Sequence, residues 1–201
     1  MEGVILPKTS VILFNLGGPD GPDSIAPFLK NFFMDPAIIR VPFFVRWMIS
    51  RWIAFTRSRG AAGRAYAFLG GRSPLLENTR AQARALQDVL GPDFSVHVCM
   101  RYWHPMAEAV LRDVRVEKPD RVILLALYPQ FSTTTTASSF LAWDAAALRQ
   151  GFSVPTQRIC CWPENEGFIR AGAQKIQDAV FSCTKKTGRR PRLLFSAHGL
   201  P

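Results

Sequence analysis

The sequence predicts an α/β fold, a parallel doubly wound sheet with helices on both faces. Short apolar runs alternate with helical segments along the chain, which is the order that builds parallel sheets. The strand expected at Arg121 to Leu127 is continuously apolar from Val122 on, as in a strand covered on both sides. Polar or glycine-rich loops follow the apolar runs, and neither an internal repeat nor a long linker interrupts the alternation.

Each element has a local reason. Val11 to Leu16 reads as a buried strand feeding the Gly17-Gly18-Pro19-Asp20 loop. Ser24 is placed to cap a short helix through Phe33. Gly70-Gly71-Arg72-Ser73-Pro74 is a loop, and Asn78 is expected to cap a helix that Gly91-Pro92 stops after Leu90. Phe94 to Met100 alternates as a strand and Pro105 to Val116 is helical. A Ser/Thr-rich loop after Leu127 leads into a helix ending near Gln150. Arg158 to Trp162 reads as a strand, Asn165 to Ser182 as a helix, and Arg192 to Phe195 as a last strand. Past that strand, nothing in the sequence supplies the helix that should cover it, so the pattern predicts an incomplete domain.

Composition bounds the function. At 201 residues, 48% hydrophobic and 20% charged, the chain is globular, with one domain or two small ones. No apolar run reaches the ~18 residues that span a bilayer. Glu2 and the lack of a basic segment before an apolar one argue against a secretory leader, so a cytoplasmic location is expected. The four cysteines (Cys99, Cys160, Cys161, Cys183) lack CxxC spacing and read as free thiols.

The net charge of +10 is unevenly placed. Between Asp35 and Glu77 there is no acid, yet Arg40, Arg46, Arg51, Arg57, Arg59, Arg64 and Arg72 fall there, among Phe43, Phe44, Trp47, Trp52 and Phe55. Such a segment can lie in a membrane interface with its guanidinium groups snorkelling to anionic lipid heads. It can equally form a lip over an apolar, acid-bearing ligand, or be a core helix with a solvated edge. Nucleic acid is the weakest partner, since no helix-turn-helix, zinc-finger or RRM pattern accompanies the charge.

Nucleotide-binding, hydrolase-elbow and zincin motifs are absent. Of the three histidines, His97 sits mid-strand as a packing residue and His104 at a strand–helix junction. His198 follows the last expected strand between Ala197 and Gly199, where open α/β sheets place ligands and where an imidazole can take a proton or ligate a metal. In a parallel sheet Gly17-Gly18, Arg101-Tyr102-Trp103-His104, Tyr128-Pro129-Gln130-Phe131-Ser132 and His198 share one rim. Aromatic walls with guanidinium, hydroxyl and imidazole groups suit a large, flat, partly anionic molecule.

Five elements then appear in one order: Leu13-Phe14-Asn15-Leu16-Gly17-Gly18-Pro19, Gly70-Gly71-Arg72-Ser73-Pro74-Leu75, Met100-Arg101-Tyr102-Trp103-His104-Pro105, Tyr128-Pro129-Gln130-Phe131-Ser132 and Phe195-Ser196-Ala197-His198-Gly199-Leu200-Pro201. Together they resemble the N-terminal region of the ferrochelatases, enzymes that insert ferrous iron into a porphyrin to make haem. The resemblance implies two Rossmann-like lobes around a porphyrin cleft. The first lobe would cover about 1–150 with a lip over 32–60, and an incomplete second lobe would begin at about 151. It implies that His198 is the catalytic residue and contacts the metal. It also implies that Phe14, Tyr66, Arg101, Tyr102, Tyr128, Ser132 and Thr134 bind or border the porphyrin, and that segment 40–57 can meet a membrane peripherally, at the inner membrane.

Iron is then a substrate, and no prosthetic group is implied. Some members hold a [2Fe-2S] cluster through a cysteine just after the Y-P-Q motif and others near the C-terminus; here Thr133 stands after Ser132, so no such cluster is expected. The family also has an acidic residue facing the histidine, beyond the last motif, to which no residue of this sequence corresponds. Protoporphyrin IX is the expected substrate, with coproporphyrin III, or another metal or tetrapyrrole as in a related chelatase for cobalt, as the alternative. A non-catalytic tetrapyrrole-binding module, or a half-enzyme completed by a partner chain, is the rival reading.

Overall fold

A computed structural model describes residues 7–197. The nominated His198 therefore lies outside the described residues. The fold is built on a four-stranded, all-parallel sheet of β1 (Thr9–Asn15), β2 (Phe94–Met100), β3 (Arg121–Ala126) and β4 (Thr156–Ile159), in the spatial order β2-β1-β3-β4. The strands are linked through α1 (Ile25–Phe33), α2 (Phe43–Arg59), α3 (Ala61–Phe68), α4 (Leu75–Leu90), α5 (Ala107–Glu117) and α6 (Ser138–Arg149), and α7 (Glu166–Thr187) follows β4.

The two-residue period of the strands divides the core. Ile12, Phe14, Val122 and Leu124 pack on Val110, Leu111 and Val114 of α5 and on Phe140, Trp143 and Ala146 of α6. Val11 and Leu13 face the other way, with Ala83 and Leu86 of α4. A third cluster joins Ile25, Phe28 and Leu29 of α1 to Ala54 of α2 and to Tyr102, and so seats the helical insertion against the end of the sheet.

Several local expectations shift. Ser24 is the residue before α1, but its hydroxyl bonds the Gly21 backbone instead of capping the helix. Asn78 is no cap: α4 begins at Leu75 behind Pro74, and Asn78 sits within its first turn. The Ser/Thr-rich loop tightens into a π-helical turn, Thr133–Ala137, continuous with α6. Asn165 does cap α7, accepting from the Phe168 N–H at 3.1 Å. Arg192 to Phe195 forms no strand: among the described residues no strand pairs with it, and Leu194 and Phe195 stand exposed. The sheet itself runs past residue 151, since β4 pairs with β3.

Gly17 is where the loop after β1 needs a glycine. Its φ of 86° is disfavoured for other residues, and a Cβ there would come within 2.9 Å of the Trp103 backbone nitrogen. Gly17→Ala is expected to destabilise the fold by about 1–3 kcal/mol in urea unfolding. Gly21→Ala in the same loop, with φ of −170° and open space around the new methyl, should change it little.

Candidate active site

The strand order creates a topological switch point. From β1 the chain passes to β2 on one side, then crosses to β3 on the other, so the loops leaving β1 and β3 diverge at their C-terminal ends. Open α/β sheets bind ligands at that crevice. The backbone ladder continues beyond the strands and aligns the loops: Arg101 N–H donates to Asn15 O, Tyr102 N–H to Leu16 O, and Leu127 N–H to Phe14 O, at 2.8, 2.9 and 3.0 Å. The Gly70–Pro74 loop joins them through Ser73 N–H to Pro19 O at 2.7 Å, and Gly18 lies so close to Ser73 that a Cβ would sit 2.5 Å from its hydroxyl. Four of the five motifs thus meet at one edge.

At its centre is a carboxylate that sequence reading did not nominate. The Asp35 side chain is 3% exposed and lies in the turn between α1 and α2. One oxygen accepts from the Ala37 N–H at 2.8 Å. The other accepts from Arg101 Nη2 at 2.8 Å, from the Tyr102 hydroxyl at 2.8 Å and from the Ser138 hydroxyl. Burial works to raise the Asp35 pKa, but the bonds from Ser138, Ala37 and Tyr102 and the Arg101 charge outweigh it and hold the carboxyl below its ordinary value. The only signals in the sequence were an Asp-Pro turn dipeptide and its place as the last acid before the arginine run.

Arg101, Tyr102, Ser132 and Thr134 come together around this carboxylate. The Tyr102 hydroxyl also reaches the Thr134 carbonyl at 3.0 Å, and the Ser132 hydroxyl accepts the Thr134 N–H at 3.2 Å, capping the π-helical turn. Arg101 Nε donates to the Ser138 hydroxyl at 2.7 Å. Two of these residues are framework as much as lining: Tyr102 is 0% exposed and Ser132 is buried. Phe14, 1% exposed, lies within the core, edge-on to Phe140 at 5.7 Å and Trp143 at 6.1 Å.

Tyr128 packs at the margin of that core, its buried hydroxyl without a partner among the described residues, and burial pushes its pKa up. Tyr66 is half-buried beside the α1 cluster, and burial raises its phenol as well. His97 is satisfied on β2, its Nε2 3.1 Å from Glu117 Oε2. Among the described residues no three His, Cys, Asp or Glu side chains are grouped to hold a metal.

Beside the rim the arginine-rich segment folds as α2 and leaves a groove of about 940 Å³ against α1, lined by Lys30, Trp47, Arg51, Trp52, Phe55 and Arg59. Phe43, Phe44, Met48 and Trp52 project into solvent, and Arg51 and Arg59 lie over the rings of Trp47 and Phe55, 5.0 and 3.9 Å from their centres. The segment is neither wholly core nor bare surface: only Ser50 and Ala54 of α2 are buried.

The ferrochelatase family profile matches residues 8–201. The chain belongs to the ferrochelatase family. It is 47% identical over 199 residues to the ferrochelatase of Caulobacter vibrioides and 46% identical to that of Phenylobacterium zucineum, each match covering 96% of this chain and 56% of the relative. The ferrochelatase of a Wolbachia strain from Drosophila simulans is 44% identical, with 96% of this chain and 62% of the relative covered. The chain thus spans a little over half the length of these ferrochelatases. All five motifs fall inside the matched region, and four of them are the loops that the fold gathers at the switch point.

Proposed function

We propose that this chain carries the first lobe of an enzyme that inserts Fe²⁺ into protoporphyrin IX, forming haem and releasing two protons. The observation that carries this reading is the similarity to ferrochelatases over 96% of this chain, with four of the five motifs on one sheet edge. Metallation requires two pyrrole N–H protons to leave and the macrocycle to bend so that nitrogen lone pairs meet the metal. A rigid aromatic wall favours the bent ring over the flat one, which is binding that strengthens toward the transition state. Tyr66, Tyr128 and Thr134 would border the ring, with Phe14, Arg101, Tyr102 and Ser132 holding the wall from behind. His198 would accept a departing proton and approach the metal, as a neutral imidazole can. The second lobe, expected from about residue 151, would take over from α7 onward.

The test is anaerobic ferrous-iron insertion into protoporphyrin IX, followed at the haem Soret band, for this chain and its His198→Ala variant. Turnover that the substitution removes supports the reading; a protein that neither turns over nor shifts the porphyrin spectrum counts against it. Coproporphyrin III in the same assay decides the substrate.

A second reading is a tetrapyrrole-binding half-enzyme completed by another polypeptide. It is favoured by α7, which buries none of its residues and exposes Ile169 and Phe181. Porphyrin binding without turnover, with turnover restored by the remaining length of the Caulobacter relative, would select it.

A cytoplasmic protein touching the inner membrane peripherally through 40–57 fits the exposed aromatics and arginines of α2. No helix among the described residues is long and apolar enough to cross a membrane. The chain is expected to sediment with vesicles containing anionic lipid and to leave them as salt rises. Replacing Arg51 and Arg57 by Gln should weaken that binding on the order of tenfold. Equal binding to neutral vesicles, or no change in the double variant, would refute it.

A further inference from the structure

We propose that Asp35 is a positioning residue that locks the aromatic lip to the rim of the sheet, and that Arg101 and Tyr102 act through this lock instead of touching the tetrapyrrole. The inference rests on the porphyrin-binding reading and deepens it, because it reassigns what two nominated residues do.

Asp35 organises both sides of the junction. On the lip side its backbone carbonyl accepts the Ile38 and Ile39 N–H groups at 3.0 and 3.1 Å, and its side chain accepts that of Ala37. The turn so formed offers the Ile39 and Val41 carbonyls to Arg46 Nη1 at 3.4 and 3.0 Å, which fastens the first turns of α2 to it. On the rim side the other carboxylate oxygen gathers donors from the loop after β2 and from the start of α6. A single buried carboxylate therefore connects the turn that holds α2, the rim loop and the start of α6 through bonds to a charged acceptor, which are stronger and more directional than neutral ones.

The same bonds leave Arg101 and Tyr102 little freedom to serve a ligand. Arg101 has Nε on Ser138 and Nη2 on Asp35, with its guanidinium 4.7 Å from the centre of the Tyr102 ring. A substrate carboxylate seeking a two-point contact would have to compete with Asp35 for that edge. The Tyr102 hydroxyl is held by Asp35 and the Thr134 carbonyl, inside a side chain with no exposed surface. Their contribution is the placement of lip and rim relative to each other.

The experiment compares dissociation constants of the 201-residue chain for protoporphyrin IX and for its dimethyl ester, which lacks free carboxylates, in the same detergent by tryptophan quenching. The variants are Asp35→Asn, Arg101→Gln, the double substitution, and Tyr102→Phe, which removes only one bond to Asp35 should Asp35→Asn not fold. Each is measured at a temperature where circular dichroism shows it folded. The lock predicts that each single variant weakens both porphyrins by the same factor, on the order of tenfold, and that the double variant is no weaker than the poorer single. Arg101→Gln weakening only the diacid would mean direct contact with a carboxylate and overturn the proposal. Multiplying losses in the double variant, or folded variants with unchanged affinity, would overturn it too. Wild-type protein binding neither porphyrin would defeat the functional reading and this proposal together, an outcome separable from a loss confined to the variants.

Discussion

Asp35→Ala is expected to cost the fold about 3–5 kcal/mol, the range seen when one partner of a buried ion pair is removed. The substitution leaves the Arg101 guanidinium, whose side chain is mostly buried, without its counter-charge. It strips one of the two close acceptors from the Tyr102 hydroxyl and releases the Ser138 hydroxyl and the Ala37 N–H. For a chain of this size the loss should appear as a fall in melting temperature of roughly 10 °C.

Wild-type protein carries a pH signature of the same group. The folded-state pKa of Asp35 lies below its unfolded value, so the folded state binds the carboxyl proton less readily than the unfolded chain. The stabilisation is then complete above the unfolded pKa of about 3.9 and is lost as pH falls through the lower folded value. In acid titrations of stability, Asp35→Ala should show a shallower decline than wild type below about pH 4. Identical slopes would mean that the carboxylate contributes nothing specific.

Trp143→Ala should be comparably severe, at about 3–5 kcal/mol in denaturant unfolding. The indole is 2% exposed and fills the layer between α6 and the sheet, in one cluster with Ile12, Leu111, Val122 and Leu124. Its ring meets Phe14 nearly at right angles, the edge-to-face arrangement that aromatic pairs favour. Truncation opens a cavity that the parallel strands, held by their ladders, cannot collapse to fill. Leu148→Ala on the same helix is the control: that side chain is 84% exposed and its loss should stay within about 0.5 kcal/mol. Because Phe14 directly precedes the Asn15–Gly18 turn, the Trp143 cavity should also loosen the rim, which porphyrin affinity of the folded fraction would report.

The elements were largely legible because their signals are local. Alternation in β2, the continuous apolar run of β3 and the Asn165 cap of α7 each depend on residues within one turn or one strand. The errors fell where local chemistry was ambiguous. Asn78 has the side chain of a cap, but Pro74 already fits the entry to α4 and starts the helix earlier. Arg192 to Phe195 has strand composition, yet a strand exists only when a neighbour supplies its hydrogen bonds.

The candidate site was half legible. Motif order pointed to Gly17, Arg101, Tyr102, Tyr128 and Ser132, and strand-to-loop transitions placed them at one edge once the sheet was parallel. Asp35 and Ser138 were invisible to that reasoning, since the bonds joining Asp35 to Arg101 and to Ser138 bridge 66 and 103 positions and leave no periodic trace.

Residue order and composition thus suffice for the α/β class, the parallel rim and the family, because periodicity and motif spacing are properties of neighbouring residues. Which side chains stand open at the rim and which are packed behind it was decided only by folding. Burial and hydrogen-bond partners are set by packing between distant segments, and that packing turned Tyr102 inward and made a turn aspartate the centre of the rim.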